Sequence, residues 1–333
     1  MAAIVVAAPI RPSANSGNDV TAARWAEHLA ALGHEVEVVP VSEESTGLDD
    51  HVPNELAAAD LLIVLHARRS AVVASWWKQH RPRRPLVVGL AGTDLYEDMP
   101  DDVVASSTIS LADALIVLQE EAVDRLHGFK PTWAEKAVVI HQSVSQVLPP
   151  RVPPLNEFRV VVLAHLRDIK DPLLAARASG RLPSDSLVTV HHAGRAHDDY
   201  WRHAAEVEER SNERYVWHRE LDATAALGLL ASAHVLACTS RSEGGANVVT
   251  EAIALGVPVI GTHIGGNTGL LGSDHLGLFP IGDHEALAHL LHDLETRPGL
   301  LAQLERRSIE RQSITDPAVE RELLGRLVTR LLT

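Results

Sequence analysis

Short runs of Val, Ile, Leu and Ala recur along the chain: IVVAA (4–8), VEVV (36–39), LLIVLH (61–66), PLVVGL (85–90), ALIVLQ (114–119) and AVVIHQ (137–142). None alternates cleanly between apolar and polar, so both faces of each are expected to be buried, as in a parallel sheet. Between them lie helical patterns such as VTAARWAEHLAALG (20–33), which Gly33 closes as a C-terminal stop. Strand and helix alternate, which predicts a doubly wound α/β domain over 1–150. The proline cluster LPPRVPPLNEF (148–158) cannot continue a helix or a central strand and reads as a linker. The alternation then restarts with FRVVVLAHL (158–166), SLVTVHHAG (186–194), YVWH (215–218), HVLACTS (234–240), VPVIGT (257–262) and GLFPIG (277–282). This predicts a second α/β domain over 151–315. From Glu285 the pattern is helical with breaks near Pro298 and Pro317, and 316–333 is expected to be a C-terminal helix packing back on the first domain. Two such domains joined by a stiff linker imply a cleft, with the chemistry on loops after strands.

Composition narrows the classes. The 333 residues are 46% hydrophobic and 22% charged, and 30 basic against 44 acidic residues give a net charge of -14. Such a chain repels nucleic acid and anionic membrane on average, so neither is expected as a partner. Cys238 is the sole cysteine, which excludes intramolecular disulfides and multi-cysteine metal sites. The start lacks a basic leader region, and no apolar run reaches the roughly 18 residues needed to span a bilayer. A cytoplasmic location is expected.

The most informative segment is TSRSEGGANVVTEAIALGVPVIGTHIGGNTGLLG (239–272). Glu243 and Glu251 are separated by seven residues, and Gly244, Gly245 and Ala246 fall between a strand end and a helix start at Asn247. Small residues let backbone approach a ligand, and a helix start offers unpaired N–H groups to an anion. Glu243 can accept from sugar hydroxyls and Glu251 from a ribose diol, with a diphosphate between. Two glycines alone would fit an ordinary strand–turn–helix. The glutamate spacing and the following LGVPVI argue for more. In AHLRDIKDPLLAA (164–176), Arg167 and Lys170 could offset charge on a leaving diphosphate; the alternative is that Arg167 pairs with Asp168 or Asp171 on a solvated loop.

The first domain offers three loops. APIRPSANSGNDV (8–20) lacks the dinucleotide fingerprint, which counts against an NAD enzyme. LHARRSA (65–71) sets Arg68, Arg69 and Ser70 at a helix start, either as a compact oxyanion site or as surface arginines. GLAGTDLYED (89–98) sets Gly92, Thr93 and Asp94 after a strand, where they could meet an acceptor; Asp94 could instead cap a helix. Nineteen histidines invite a metal reading, but His191 and His192 are adjacent and point to opposite sides of a strand. There is no H-E-x-x-H and no G-x-S-x-G.

The 239–272 segment resembles the donor-site signature of the family-four retaining glycosyltransferases of GT-B fold. The resemblance implies two Rossmann-like domains, a nucleotide-sugar donor, and no metal or other cofactor. It assigns donor-sugar hydroxyls to Glu243 and the ribose to Glu251. Sugar and phosphates fall to the amides around Gly245, Ala246, Asn247 and Val248. GGNTGLLG (265–272) matches the family's next loop, and Gly17 and Asn18 align with its glycine loop. Where the family shows G-R-x-x-x-x-K-G, this chain keeps Lys170 but has Ala164, His165 and Asp171 in place of Gly, Arg and Gly, leaving Arg167 as a substitute cation. The combination SGNDVTAARWA, LHARRSA, GLAGTDLY, AHLRDIKDP and SRSEGGANVVTEA resembles a narrower group, the selenosugar synthases of the selenoneine pathway, over residues 4–283. That implies transfer of the sugar of UDP-N-acetylglucosamine to the selenium of selenophosphate, with release of UDP and phosphate. Pathway enzymes are then possible partners. Arg68, Arg69 and Ser70 suit a small oxyanion, and a selenium nucleophile has little need of a general base. The competing readings are an ordinary glycosyltransferase with a sugar or alcohol acceptor, and a UDP-sugar hydrolase or 2-epimerase using His66 or Asp94 in the acceptor region. A non-enzymatic nucleotide-binding module is a further one.

Overall fold

The computed structural model describes residues 1–9, 17–41 and 54–333. By contacts these form two compact units, one of 1–143, 243–246 and 316–333, the other of 144–242 and 247–315. The first holds a six-stranded sheet of order β2-β1-β3-β4-β5-β6, made of β1 (Ala3–Ala8), β2 (Glu35–Pro40), β3 (Leu61–Leu65), β4 (Leu86–Gly89), β5 (Ala114–Val117) and β6 (Ala137–Val139). The second holds a six-stranded sheet of order β12-β11-β10-β7-β8-β9, made of β7 (Phe158–Leu163), β8 (Val188–Ala193), β9 (Tyr215–Trp217), β10 (Val235–Cys238), β11 (Val259–Thr262) and β12 (Leu278–Phe279). Every pairing is parallel. Each apolar run read from the sequence carries a strand, and 316–333 holds the helix Pro317–Leu332.

Period-two geometry explains why the runs do not alternate. Val5, Ala7, Leu62 and Val64 face a core containing Trp77, while Ile4, Val6, Leu61 and Ile63 face another containing Trp25 and Leu29. Both faces are covered, so both sets must be apolar. The expectation fails for β2, whose Glu35 and Glu37 are exposed. β2 ends the sheet, pairing only with β1 among the described residues, and charge there blunts an open edge.

The C-terminal helix completes the second core of the first unit with Leu324, Leu327 and Val328. Its anchor is Glu320, 1% exposed. The carboxylate accepts from Arg24 Nε at 3.0 Å, Trp25 Nε1 at 2.9 Å and the Ser143 amide at 2.8 Å, and also from the Ser143 hydroxyl. His28 Nε2 lies 3.3 Å away. Burial alone would push this carboxyl up, but hydrogen bonds from His28 and Ser143 and the Arg24 charge outweigh it and hold it at about 2.

The segment Glu243–Ala246, which the sequence placed with the second domain, packs with the first unit. Glycines allow it. A Cβ on Gly244 would lie 2.5 Å from the Ala91 carbonyl oxygen, one on Gly245 2.7 Å from Leu118 Cβ, and one on Gly92 2.4 Å from the Gly244 nitrogen. Gly92 also has φ +129°, a region closed to most side chains.

Two predictions follow from these contacts. Replacing Glu320 by alanine strands Arg24 in the interior, and should cost about 3–5 kcal/mol in urea unfolding. The folded value lies below the ordinary 4.5, so the stabilisation is complete above that value and fades as pH falls towards about 2. The difference between wild type and Glu320→Gln should therefore shrink by roughly half or more between about pH 6 and pH 3; a pH-independent difference contradicts the assignment. Gly92→Ala should lose about 1–3 kcal/mol through backbone strain alone, and more if Gly244 cannot shift. Gly128→Ala is the control, because a Cβ there meets nothing within 4 Å.

Candidate functional site

In the second unit the exit of β10 is fastened to the turn that carries the basic pair. Thr239 Oγ1 donates to the Lys170 carbonyl at 2.9 Å, and the Arg241 amide to the Ile169 carbonyl at 2.8 Å. The Arg241 guanidinium meets Asp171 at 2.8 Å. Asp171 adopts a left-handed conformation, φ +41°, to end the turn Asp168–Lys170. It thus serves Arg241, one of the two acids that could have paired with Arg167 being committed elsewhere. Arg167 is exposed and Lys170 half-buried. The strand ends are close-packed here: a Cβ on Gly194, the residue after β8, would fall 1.8 Å from the Ala164 carbonyl oxygen.

The helix Asn247–Leu255 follows, closed by Gly256 at φ +68°. Glu243, Gly245, Asn247, Val248 and Glu251 are half-buried; Gly244 and Ala246 are buried. Glu251 sits on the second turn of that helix. The 265–272 loop is itself a helix, Gly265–Leu271. Its Asn267 is fully buried and donates to the Thr262 carbonyl at 2.9 Å, while Thr262 Oγ1 donates to the Ser240 carbonyl. These bonds lock the ends of β10 and β11. Thr239, Arg241, Thr262 and Asn267 were not singled out from sequence. The available signal was their place at or a few residues beyond the ends of buried strands, where a polar side chain has backbone to satisfy.

In the first unit β3 and β4 end side by side. Asp94 is fully buried, and its carboxylate accepts from the amides of Ala67, Ala91, Gly92 and Leu95 at 2.9–3.0 Å. Backbone thus supplies three donors to Oδ1 and one to Oδ2, and Asp94 shapes the loop. His66, at φ +69° and 2% exposed, reaches Thr93 Oγ1 with Nε2 at 2.9 Å. Thr93 is half-buried.

Ser70 and Arg68 both have partners within the protein. Ser70 is buried and its hydroxyl donates to the Leu65 carbonyl at 2.6 Å, so its proton serves the β3 exit. Arg68, about half exposed, faces Asp102 at 3.1 Å and Asp98 at 3.8 Å. Burial pushes the Asp98 carboxyl up, against the opposing pull of the Arg68 guanidinium. Arg69 sits between them, its amide donating to His66 Nδ1 at 3.4 Å. Gly17 begins the first helix, with Asn18 beside it; residues 10–16 of that loop lie outside the described residues.

His191 and His192 do face opposite ways. His192 is fully buried between Tyr215 Oη and the Ala164 carbonyl, and burial pulls its imidazole down to about 4. His191 bonds His218 Nε2 at 2.9 Å and Glu157 at 3.3 Å. Among the described residues no group of three or more His, Cys, Asp or Glu could hold a metal ion, and no helix is long and apolar enough to cross a membrane.

Residues 157–296 match the family model Glycosyl transferases group 1. Among curated proteins, none matches. Solved structures resemble the whole chain. Sucrose-phosphate synthase from Thermosynechococcus elongatus is 15% identical with a TM-score of 0.76, covering 98% of each chain. HepE from Anabaena, in complex with UDP-glucose, is 15% identical with a TM-score of 0.77, covering 98% of this chain and 99% of that one. TarM from S. aureus, a mutant in complex with Fondaparinux, alpha-GlcNAc-glycerol and UDP, is 17% identical with a TM-score of 0.62, covering 82% of this chain and 55% of that one. Two six-stranded parallel sheets with these likenesses establish the GT-B fold, and within it residues 157–296 carry the match to Glycosyl transferases group 1.

Proposed function

We propose that the chain is a glycosyltransferase that uses a UDP-sugar donor. The observation that carries this is the Glu243-to-Glu251 segment, issuing from a β10 exit braced to the Lys170 turn inside a stretch matched by Glycosyl transferases group 1. Glu243 takes donor-sugar hydroxyls and Glu251 the ribose. The amides from Gly245 to Val248 take sugar and phosphates, and Lys170 with Arg167 opposes charge growing on the departing UDP. HepE with UDP-glucose and TarM with UDP and a GlcNAc glycoside are consistent with a donor of this class. No metal is needed in this reading, because the cations are side chains.

The finer reading is a selenosugar synthase. Selenium of selenophosphate attacks the anomeric carbon of UDP-N-acetylglucosamine, the bond to UDP breaks with its electron pair, and the phosphoryl group passes from selenium to water as phosphate. Arg69 and Arg68 would hold the acceptor phosphate, with Thr93 beside them. The pairing of Arg68 with Asp98 and Asp102 favours a second reading, a glycosyltransferase with a neutral sugar or alcohol acceptor. A hydrolase or epimerase that needs Asp94 as acid or base is disfavoured, because backbone amides occupy that carboxylate.

Mass spectrometry of UDP-N-acetylglucosamine incubated with selenophosphate, against a water-only control, should detect a selenium-bearing N-acetylhexosamine together with UDP. UDP without that product refutes the selenium chemistry, and no UDP with any acceptor refutes the transferase. Glu243→Gln should lower kcat about 10- to 100-fold, the equivalent of 1.5–3 kcal/mol, and more than Glu251→Gln does. Lys170→Ala should slow the chemical step more than it weakens UDP binding; the reverse order places Lys170 in ground-state binding alone.

A further inference from the structure

The hydrogen bonds around His66 determine where its proton sits. A backbone N–H can only donate, so the bond from the Arg69 amide to Nδ1 at 3.4 Å requires Nδ1 to be bare. Nearby Asp94 Oδ2, 3.9 Å from Nδ1, is beyond hydrogen-bond reach and is held by the Ala67 amide. The neutral ring then carries its hydrogen on Nε2, which donates to Thr93 Oγ1 at 2.9 Å. Thr93 is therefore an acceptor towards His66, and its own hydrogen goes to no acceptor among the described residues. His66 is held in the left-handed region, φ +69°, a conformation strained for a residue with a side chain. The next-door Gly92 abuts Gly244, which sets Thr93 near the Glu243 segment.

We infer that His66 is a positioning residue, fixed as the Nε2–H tautomer, that turns the Thr93 hydroxyl into a hydrogen-bond donor for a phosphate-type oxyanion on the acceptor substrate. This deepens the acceptor side of the proposed function and rests on that reading. An oxyanion presents only lone pairs, so it requires donors, whereas an alcohol nucleophile must also surrender a proton. With one Thr93 lone pair engaged by His66, this corner supplies a donor and no base. His66 itself, with its bare nitrogen facing the Arg69 amide, is not poised to take a proton from a substrate.

The test uses full-length protein labelled with 15N-histidine and saturated with UDP, so that added anion does not fill the diphosphate site. Long-range 1H–15N NMR should show His66 as the Nε2–H tautomer. Titration with inorganic phosphate should shift its Nε2 resonance saturably. Thr93→Val, close in shape, should raise the phosphate Kd about tenfold or more, while Thr93→Ser should keep it near the wild-type value. An Nδ1–H tautomer, or a phosphate Kd untouched by Thr93→Val, overturns the inference. If phosphate binds through Thr93 but selenophosphate yields no selenosugar, the inference stands and the selenium reading falls, since another phosphorylated acceptor would then be sought.

Discussion

Four backbone amides converging on the buried Asp94 carboxylate fix the exits of β3 and β4. A buried carboxylate without partners would be untenable; one that accepts four N–H groups offsets much of its desolvation and makes the loop rigid. Everything on this side of the site inherits its place from that charge. Ala67 is held, so His66 can occupy its left-handed conformation. Gly92 is held at φ +129°, so Thr93 is presented beside it and Gly244 can lie against its backbone. Asp94 thus imposes the geometry of its neighbours.

A second buried carboxylate does similar work at longer range. Glu320 lies 296 residues from Arg24 in sequence, and an exposed ion pair could not hold such a closure, being worth at most about 1 kcal/mol. Burial with Arg24, Trp25, His28 and Ser143 makes breaking the cluster costly, because each partner would be left unsatisfied. The C-terminal helix is therefore tied to the helix that begins at Gly17. The apolar contacts of Leu324 and Val328 supply area, and Glu320 supplies register.

How much of this was legible in the sequence depends on the kind of constraint. The strands were legible because burial on both faces demands uninterrupted Val, Ile and Leu, and that demand is local. β2 was misjudged because its position at the end of the sheet is a property of topology and is invisible in VEVV. The Glu243–Glu251 segment stands out because its glutamates and glycines share one stretch of chain, inside the part matched by Glycosyl transferases group 1. The backbone partners of Ser70 and Asp94 and the ion pair of Asp171 were not legible. Each of the three is a polar residue after a strand, and whether it serves substrate or backbone depends on amides and carbonyls contributed from elsewhere, such as Leu65 for Ser70 and Arg241 for Asp171. The Gly244 and Gly245 pair has two explanations: sequence offers close approach to a ligand, and the structure adds close approach to Ala91 and Leu118.

The electrostatics of Arg68 illustrate how a paired cation can still recognise an anion. Its side chain is 56% exposed, so its attraction to Asp98 and Asp102 is screened and is worth about 0–1 kcal/mol. A phosphate oxyanion that engages the guanidinium fork with two charge-assisted bonds gains more than that, roughly 1.5–3 kcal/mol for each bond to a charged group before entropy is subtracted. Exchange of partners is thus downhill for a doubly charged ligand and uphill for a neutral hydroxyl. On the phosphorylated-acceptor reading Arg68 therefore exchanges Asp98 and Asp102 for the substrate, and on the neutral-acceptor reading it keeps them.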